Sequence, residues 1–229
     1  MASGPDLADR SRFAKLGMAI NEELTQACRD VLEMEVPPGL VYNKVKASSI
    51  YKKMRPEQEL CLKGAKTVGY KEFDITLLYT LIRNICKTIP LPTNGWGGNT
   101  MPSVGETTIG DDVERIRLIR NTMFGHISSA STSQTEFDDT WQMITDICQR
   151  LHTYTNKDYL SGLSKIQRLA LEEEHEKAIM EKLKANYEKN IDLMEKMSSL
   201  EFHSQGMNSK SESLEKKIVY RVHIYVNKA

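Results

Sequence analysis

The chain has no net charge, no pair of closely spaced cysteines and no long apolar run. Its 229 residues balance 31 basic against 31 acidic side chains. A broad cationic surface for nucleic acid or membrane is therefore not expected. No apolar stretch reaches the roughly 18 residues that a bilayer span requires. The opening MASGPDLADRSRF lacks a hydrophobic signal core, so the expected location is cytoplasmic. Cys28, Cys61, Cys86 and Cys148 stand singly, whereas structural zinc sites take thiolates about two to four residues apart. A zinc finger or RING is thus excluded within this chain, no metal is expected, and the cysteines read as reduced thiols. His152, His175, His203 and His223 likewise lack companions at ligand spacing.

What the chain does have is helical periodicity. A hydrophobic fraction of 40% is enough for a core. Leu16, Ala19, Ile20, Leu24, Ala27, Val31 and Met34 recur at three- and four-residue steps, which predicts a helix over 7–36 with Asp6 as its cap. Pro37-Pro38-Gly39 ends it. A second helix is expected over 40–54, with Val41, Val45, Ser49 and Lys53 stepping by four, and a short one around 57–63. The span 73–89 is the most apolar, with Asp74 as cap and Leu77, Leu78, Leu81, Ile82, Ile85 and Ile89 inward.

A breaker region follows from Pro90 to Gly110, with Pro92, Pro102 and five glycines around Asn94-Gly95-Trp96-Gly97-Gly98. A loop of that length is usually functional or mobile. The Gly95-Trp96-Gly97 turn reads as anchored by a buried tryptophan. Asp111 or Asp112 caps the next helix, with Val113, Ile116, Ile119 and Met123 inward. Ser133 and Glu136 form a capping box for a helix over 133–151, which buries Phe137, Trp141, Ile144, Cys148 and Leu151.

Beyond 161 the composition turns to Glu, Lys and Met. Met180, Leu183, Tyr187, Asn190, Met194 and Met197 keep a 3-4 spacing to 201. A solvent-exposed amphipathic helix and a coiled coil both fit this pattern. Residues 202–229 hold a polar linker and an alternating, strand-like tail, KIVYRVHIYV, over 217–226.

Walker A, GxGxxG, HExxH and Ser-His-Asp patterns are absent, so no cofactor is expected. One arrangement with chemical potential is Arg120-Asn121-Thr122-Met123-Phe124-Gly125-His126. Histidine moves protons near neutral pH, and arginine holds a phosphate bidentately. Together they suit metal-independent RNA cleavage, in which a ribose 2′-hydroxyl attacks the adjacent phosphate. On a straight helix six residues turn through about 240° beyond full rotations, so Gly125 would have to bend or end the helix for the two to meet. The structural alternative puts Arg120 in a surface ion pair and His126 near a helix C-terminus.

Four ordered stretches set this motif in context: GYKEFDITLLYTLIRNI at 69–85, NGWG at 94–97, DDVERIRLIRN at 111–121 with Gly125-His126, and TEFDDTW at 135–141. Together they resemble the HEPN domain of the DAZ-interacting-protein-three-like family. The resemblance implies an all-α, HEPN-like helical bundle over about 10–155; the charged helix that the spacing gives for 161–201 follows it. It also implies a homodimer. In catalytic relatives an Arg-to-His motif from each subunit meets its partner's at the dimer interface. By that analogy Arg120 would hold the scissile phosphate, His126 would shuttle the proton and Asn121 would position a neighbour or the substrate.

Three functions follow from the resemblance and the pattern. One is a non-catalytic module that dimerises and binds RNA or a protein partner, in an innate-immune or RNA-linked setting. The second is a metal-independent ribonuclease. The third is a helical scaffold that recruits a protein through 161–201. Arg115, Arg117 and Arg120 alternate with Asp111, Asp112 and Glu114. Any RNA contact at the motif is thus expected to be a small cleft shared by two subunits. The ligase that names the family carries a RING, and ligase activity is not carried over to this chain.

Overall fold

The computed structural model describes residues 6–125, 130–171, 174 and 176–185. All secondary structure among them is helical. The strand-like tail of 217–226 lies outside the described residues.

The expected first helix is one rod with an interruption. Helix α1 (Leu7–Ala19) passes into a π turn at Ile20–Leu24 and continues as α2 (Thr25–Glu35). The Thr25 hydroxyl donates to the Ile20 carbonyl at 2.9 Å, satisfying an oxygen that the widened turn exposes. The extra residue shifts the phase of the stripe. Cys28 and Leu32 enter the core, while Met34, expected inward, is 57% exposed. Asp6 stands at the N-cap position without a side-chain cap bond. Val36 is extended and accepts the buried Tyr70 hydroxyl at 2.6 Å. Pro37 precedes the next helix and Pro38 opens it, where a missing N–H costs nothing.

The single helix expected over 40–54 is instead α3 (Pro38–Lys46) and a 3₁₀ turn at Ser49–Lys53. Ser48 is extended and donates its hydroxyl to the Val45 carbonyl at 2.6 Å, competing with the helical ladder. Val41 and Val45 are buried, Ser49 and Lys53 are exposed, and Ile50 takes the inward place. Helix α4 (Pro56–Val68) outruns the expected 57–63 and packs on α3 as a hairpin. Its run ends at Gly69, whose φ of +66° would strain any other residue.

Helix α5 (Ile75–Ile85) has Asp74 as its N-cap, accepting from the Leu77 N–H at 2.8 Å. All six expected inward residues, Ile89 included, are buried. Helix α6 (Ile109–Gly125) buries Val113, Ile116, Ile119 and Met123. Helix α7 (Gln134–Thr155) starts at the expected Ser133–Glu136 capping box. The α1–α2 rod lies against α5 and α7, and α6 packs between α5 and α7. The π turn meets both α6 and α7.

Helix α8 (Leu160–Arg168) packs on α1 and α7, and its Leu169 cap is extended. Helix resumes over 176–185, and 186–201 lie outside the described residues. The resumed helix seats on α1. Glu176 pairs with Arg10 at 3.3 Å. Leu183 lies against Gly17, where a Cβ would come within 2.4 Å of its Cδ1.

The loop between α5 and α6 presses closely on Gly110. Its N–H donates to the Pro90 carbonyl at 3.0 Å, and a Cβ there would stand 2.4 Å from the Pro92 nitrogen. Backbone, unlike a side-chain tip, cannot swing aside. Gly110→Ala is expected to cost about 1–3 kcal/mol, read as a lower chemical-denaturation midpoint. An unchanged midpoint would contradict this packing.

Candidate functional site

Helix α6 carries the site, and its first two turns fix it in place. Its N-cap is Thr108 rather than Asp111 or Asp112. The Thr108 hydroxyl accepts from the Asp111 N–H at 3.1 Å, and the Asp111 carboxylate accepts back from the Thr108 N–H at 3.0 Å. Asp111 also takes the Thr93 N–H at 2.7 Å and hydroxyls of Thr93 and Thr108 at 2.9 and 2.8 Å. Burial would lift its carboxyl, but these bonds hold it below the ordinary carboxylate range.

Asp112 is fully buried and accepts two bonds from Arg150 of α7, at 2.8 and 2.6 Å. Arg115 adds a third at 2.9 Å. Burial pushes the Asp112 carboxyl up, and the two arginines pull against that shift. The Arg115 guanidinium also donates to the carbonyls of Ser103 and Glu106. Glu114 receives the Tyr79 hydroxyl and the Gly97 N–H, both at 2.6 Å, and pairs with Arg117 at 2.7 Å. Arg117 reaches on to the Gly98 carbonyl. Trp96 is half-buried, edge-on to Tyr79 with ring centroids 5.8 Å apart. The glycine-rich turn is thus anchored by Glu114 as much as by its tryptophan.

These bonds give the alternating charges of 111–117 a structural use. The acids and Arg115 are interior fastenings that bind α6 to the 86–108 loop, α5 and α7. No single-residue pattern signals this, because the partners lie up to 38 positions away.

The far end of α6 holds the expected motif. Arg120 is only 5% exposed, so it is not the surface ion-pair arginine of the structural alternative. Its Nη1 donates to the Asn121 Oδ1 at 3.1 Å. The structure therefore brings Arg120 and Asn121 together. His126 lies outside the described residues. Beside this end of the helix is a cavity of about 160 Å³, lined by Phe13, Leu16, Met101, Ile119, Met123 and Met143 among others. The chain returns from it tied to α1: the Thr132 N–H donates to the Asp9 carbonyl at 3.1 Å, and Arg12 Nε to the Thr132 carbonyl at 3.0 Å.

All four cysteines are free, and Cys28 and Cys148 are buried. Burial pushes both thiols up to about 12. Among the described residues no cluster of three His, Cys, Asp or Glu side chains is placed to hold a metal. No described helix is long and apolar enough to cross a membrane.

The DZIP3/hRUL138-like HEPN family model matches residues 39–179, more than half of the chain. The chain belongs to this HEPN family. The match opens in α3 and closes inside the helix of 176–185, so α1 and α2 of this HEPN protein precede it while packing on its core. No curated protein and no solved structure matches the chain significantly.

Two outcomes follow for the α6 fastenings. Asp112→Ala leaves Arg115 and part of Arg150 buried without their carboxylate and is expected to cost about 3–5 kcal/mol in denaturant unfolding. A cost below about 1 kcal/mol would deny the pair its structural role. Asp111, with its lowered folded-state carboxyl, contributes stability that is complete above the unfolded carboxylate range and lost as pH falls through and below about 4. In melting curves from pH 7 to 3, the gap between wild type and Asp111→Ala is therefore expected to narrow at the acid end.

Proposed function

We propose that this HEPN chain works by assembly: a homodimer that binds RNA or a protein partner without cleaving it. The observation that carries the reading is Arg120, 5% exposed and bonded to Asn121 inside its own protomer. A phosphate clamp needs a guanidinium whose fork can reach the ligand. Family membership supports the dimer, since HEPN domains often dimerise. One fold hosts several functions, so the family alone does not choose between binding and cleavage.

The scaffold reading draws less support. The inner face of 176–185 is already spent within the protomer, with Glu176 on Arg10 and Leu183 on Gly17. In the ribonuclease reading Arg120 would hold the scissile phosphate, His126 would move the proton and Asn121 would orient them. Innate-immune or RNA-linked signalling is the setting in which we place the module.

Sedimentation of the full chain is expected to give a dimer, and labelled single-stranded RNA incubated with it in chelator is expected to stay intact. RNA cleavage that His126→Ala abolishes, with an unchanged circular dichroism spectrum, would replace this reading with the ribonuclease. A monomer at all concentrations would remove the dimer from it.

A further inference from the structure

A net charge of zero hides a strong local excess. Between residues 38 and 71 the chain carries eight basic side chains and only two acidic ones. This segment is the α3–α4 hairpin with its 3₁₀ turn, apart from the motif at the end of α6. Seven of the eight are exposed lysines, and Arg55 is half-buried.

The lysines gather around two tyrosines. The ring of Tyr42 has Lys46 Nζ at 5.8 Å and Lys63 Nζ at 5.3 Å from its centroid. Tyr51 meets Tyr42 edge-to-face at 6.4 Å. Lys52 and Lys53 follow Tyr51 directly on the 3₁₀ turn, and Lys66 lies one helical turn beyond Lys63. Glu59 is the carboxylate of the cluster. It accepts both tyrosine hydroxyls, at 3.2 and 3.1 Å, and the Lys63 ammonium at 2.7 Å. Glu57 is the other acid of the hairpin, so five lysines face two carboxylates. Lys44 is not part of this face, because it lies two residues, about 200° of helix, from both Tyr42 and Lys46 on α3.

The chemistry discriminates among polyanions. Lysine is depleted from protein interfaces, which need an apolar centre. A membrane-docking helix needs a broad free apolar face; α3 and α4 bury Val41, Val45, Leu62 and Ala65, and their exposed Leu40, Leu60 and Val68 stand apart, with Gly64 between the last two on α4. Flexible ammonium groups interleaved with half-buried aromatic rings match a single strand, whose phosphates take the charge and whose bases offer flat faces. We propose that the α3–α4 hairpin is a docking surface for single-stranded RNA, held through its phosphates by Lys46, Lys52, Lys53, Lys63 and Lys66 around the Tyr42–Tyr51 pair. This inference rests on the RNA-binding arm of the proposed function and gives that arm a place away from Arg120.

The probe is a fluorescent oligouridine titrated with the full chain at several salt concentrations. Binding is expected to weaken with salt, with a logarithmic slope of about 0.7 per phosphate contact on a single strand. A variant carrying Lys46→Ala, Lys52→Ala, Lys53→Ala and Lys66→Ala is expected to bind at least about tenfold more weakly with a shallower slope, its melting temperature unchanged because all four side chains are exposed. A control carrying Lys182→Ala and Lys184→Ala on the exposed side of 176–185 is expected to bind like wild type. Undiminished binding by the hairpin variant overturns the surface while leaving RNA binding by the chain standing. Absence of oligouridine binding by the wild type overturns the inference but not the dimer, which sedimentation reads separately. Equal losses in the control, or competition by polyglutamate as strong as by unlabelled RNA, overturn it in favour of an unselective charge effect.

Discussion

Three carboxylates at the start of α6 are withdrawn from water, and the rest of the domain is arranged to make that tolerable. A buried charge survives only when it is paired and hydrogen-bonded. Asp111 draws the 90–108 loop onto the helix start, Asp112 reaches across to Arg150 of α7, and Glu114 holds Tyr79 of α5 together with Gly97. Acids also suit this end of a helix, where the exposed N–H groups carry partial positive charge. Each anion thus commits a different neighbour, and α6 sits at their meeting point. The position of Arg120, about two turns further along, is inherited from these fastenings.

The apolar skeleton was legible because it is local. The stripe of α5, its Asp74 cap and the Ser133–Glu136 box are all patterns within four residues, and the structure keeps them. The interruptions were less so. A π turn adds one residue to a continuous helix, and nothing in INEEL announces it. Likewise Ser48 breaks the helix expected over 40–54 through one hydroxyl bond to Val45. At the site, the sequence marks Arg120, Asn121 and the alternating charges around Arg115 and Arg117, but not what those acids hold. Only the fold brings Arg150, Tyr79 and Thr93 to those acids.

Charge shows the same limit on a larger scale. The chain is neutral in sum, yet one hairpin holds eight basic residues to two acidic ones. Totals average over surfaces that face different directions, whereas ligands meet one surface at a time. This family member therefore presents two separate questions: what Arg120 and its neighbours do at the end of α6, and what the lysine-rich hairpin meets.

Cys28 in α2 and Cys148 in α7 give the fold a use as its own gauge. Their thiols are buried and held up to about 12, far from the thiolate form that alkylating reagents attack. Whatever separates the rod from α7 restores both solvent and ordinary acidity to these sulfurs at once. Their labelling rate is then a clock for how often the two halves of the core part company, and it needs no introduced probe.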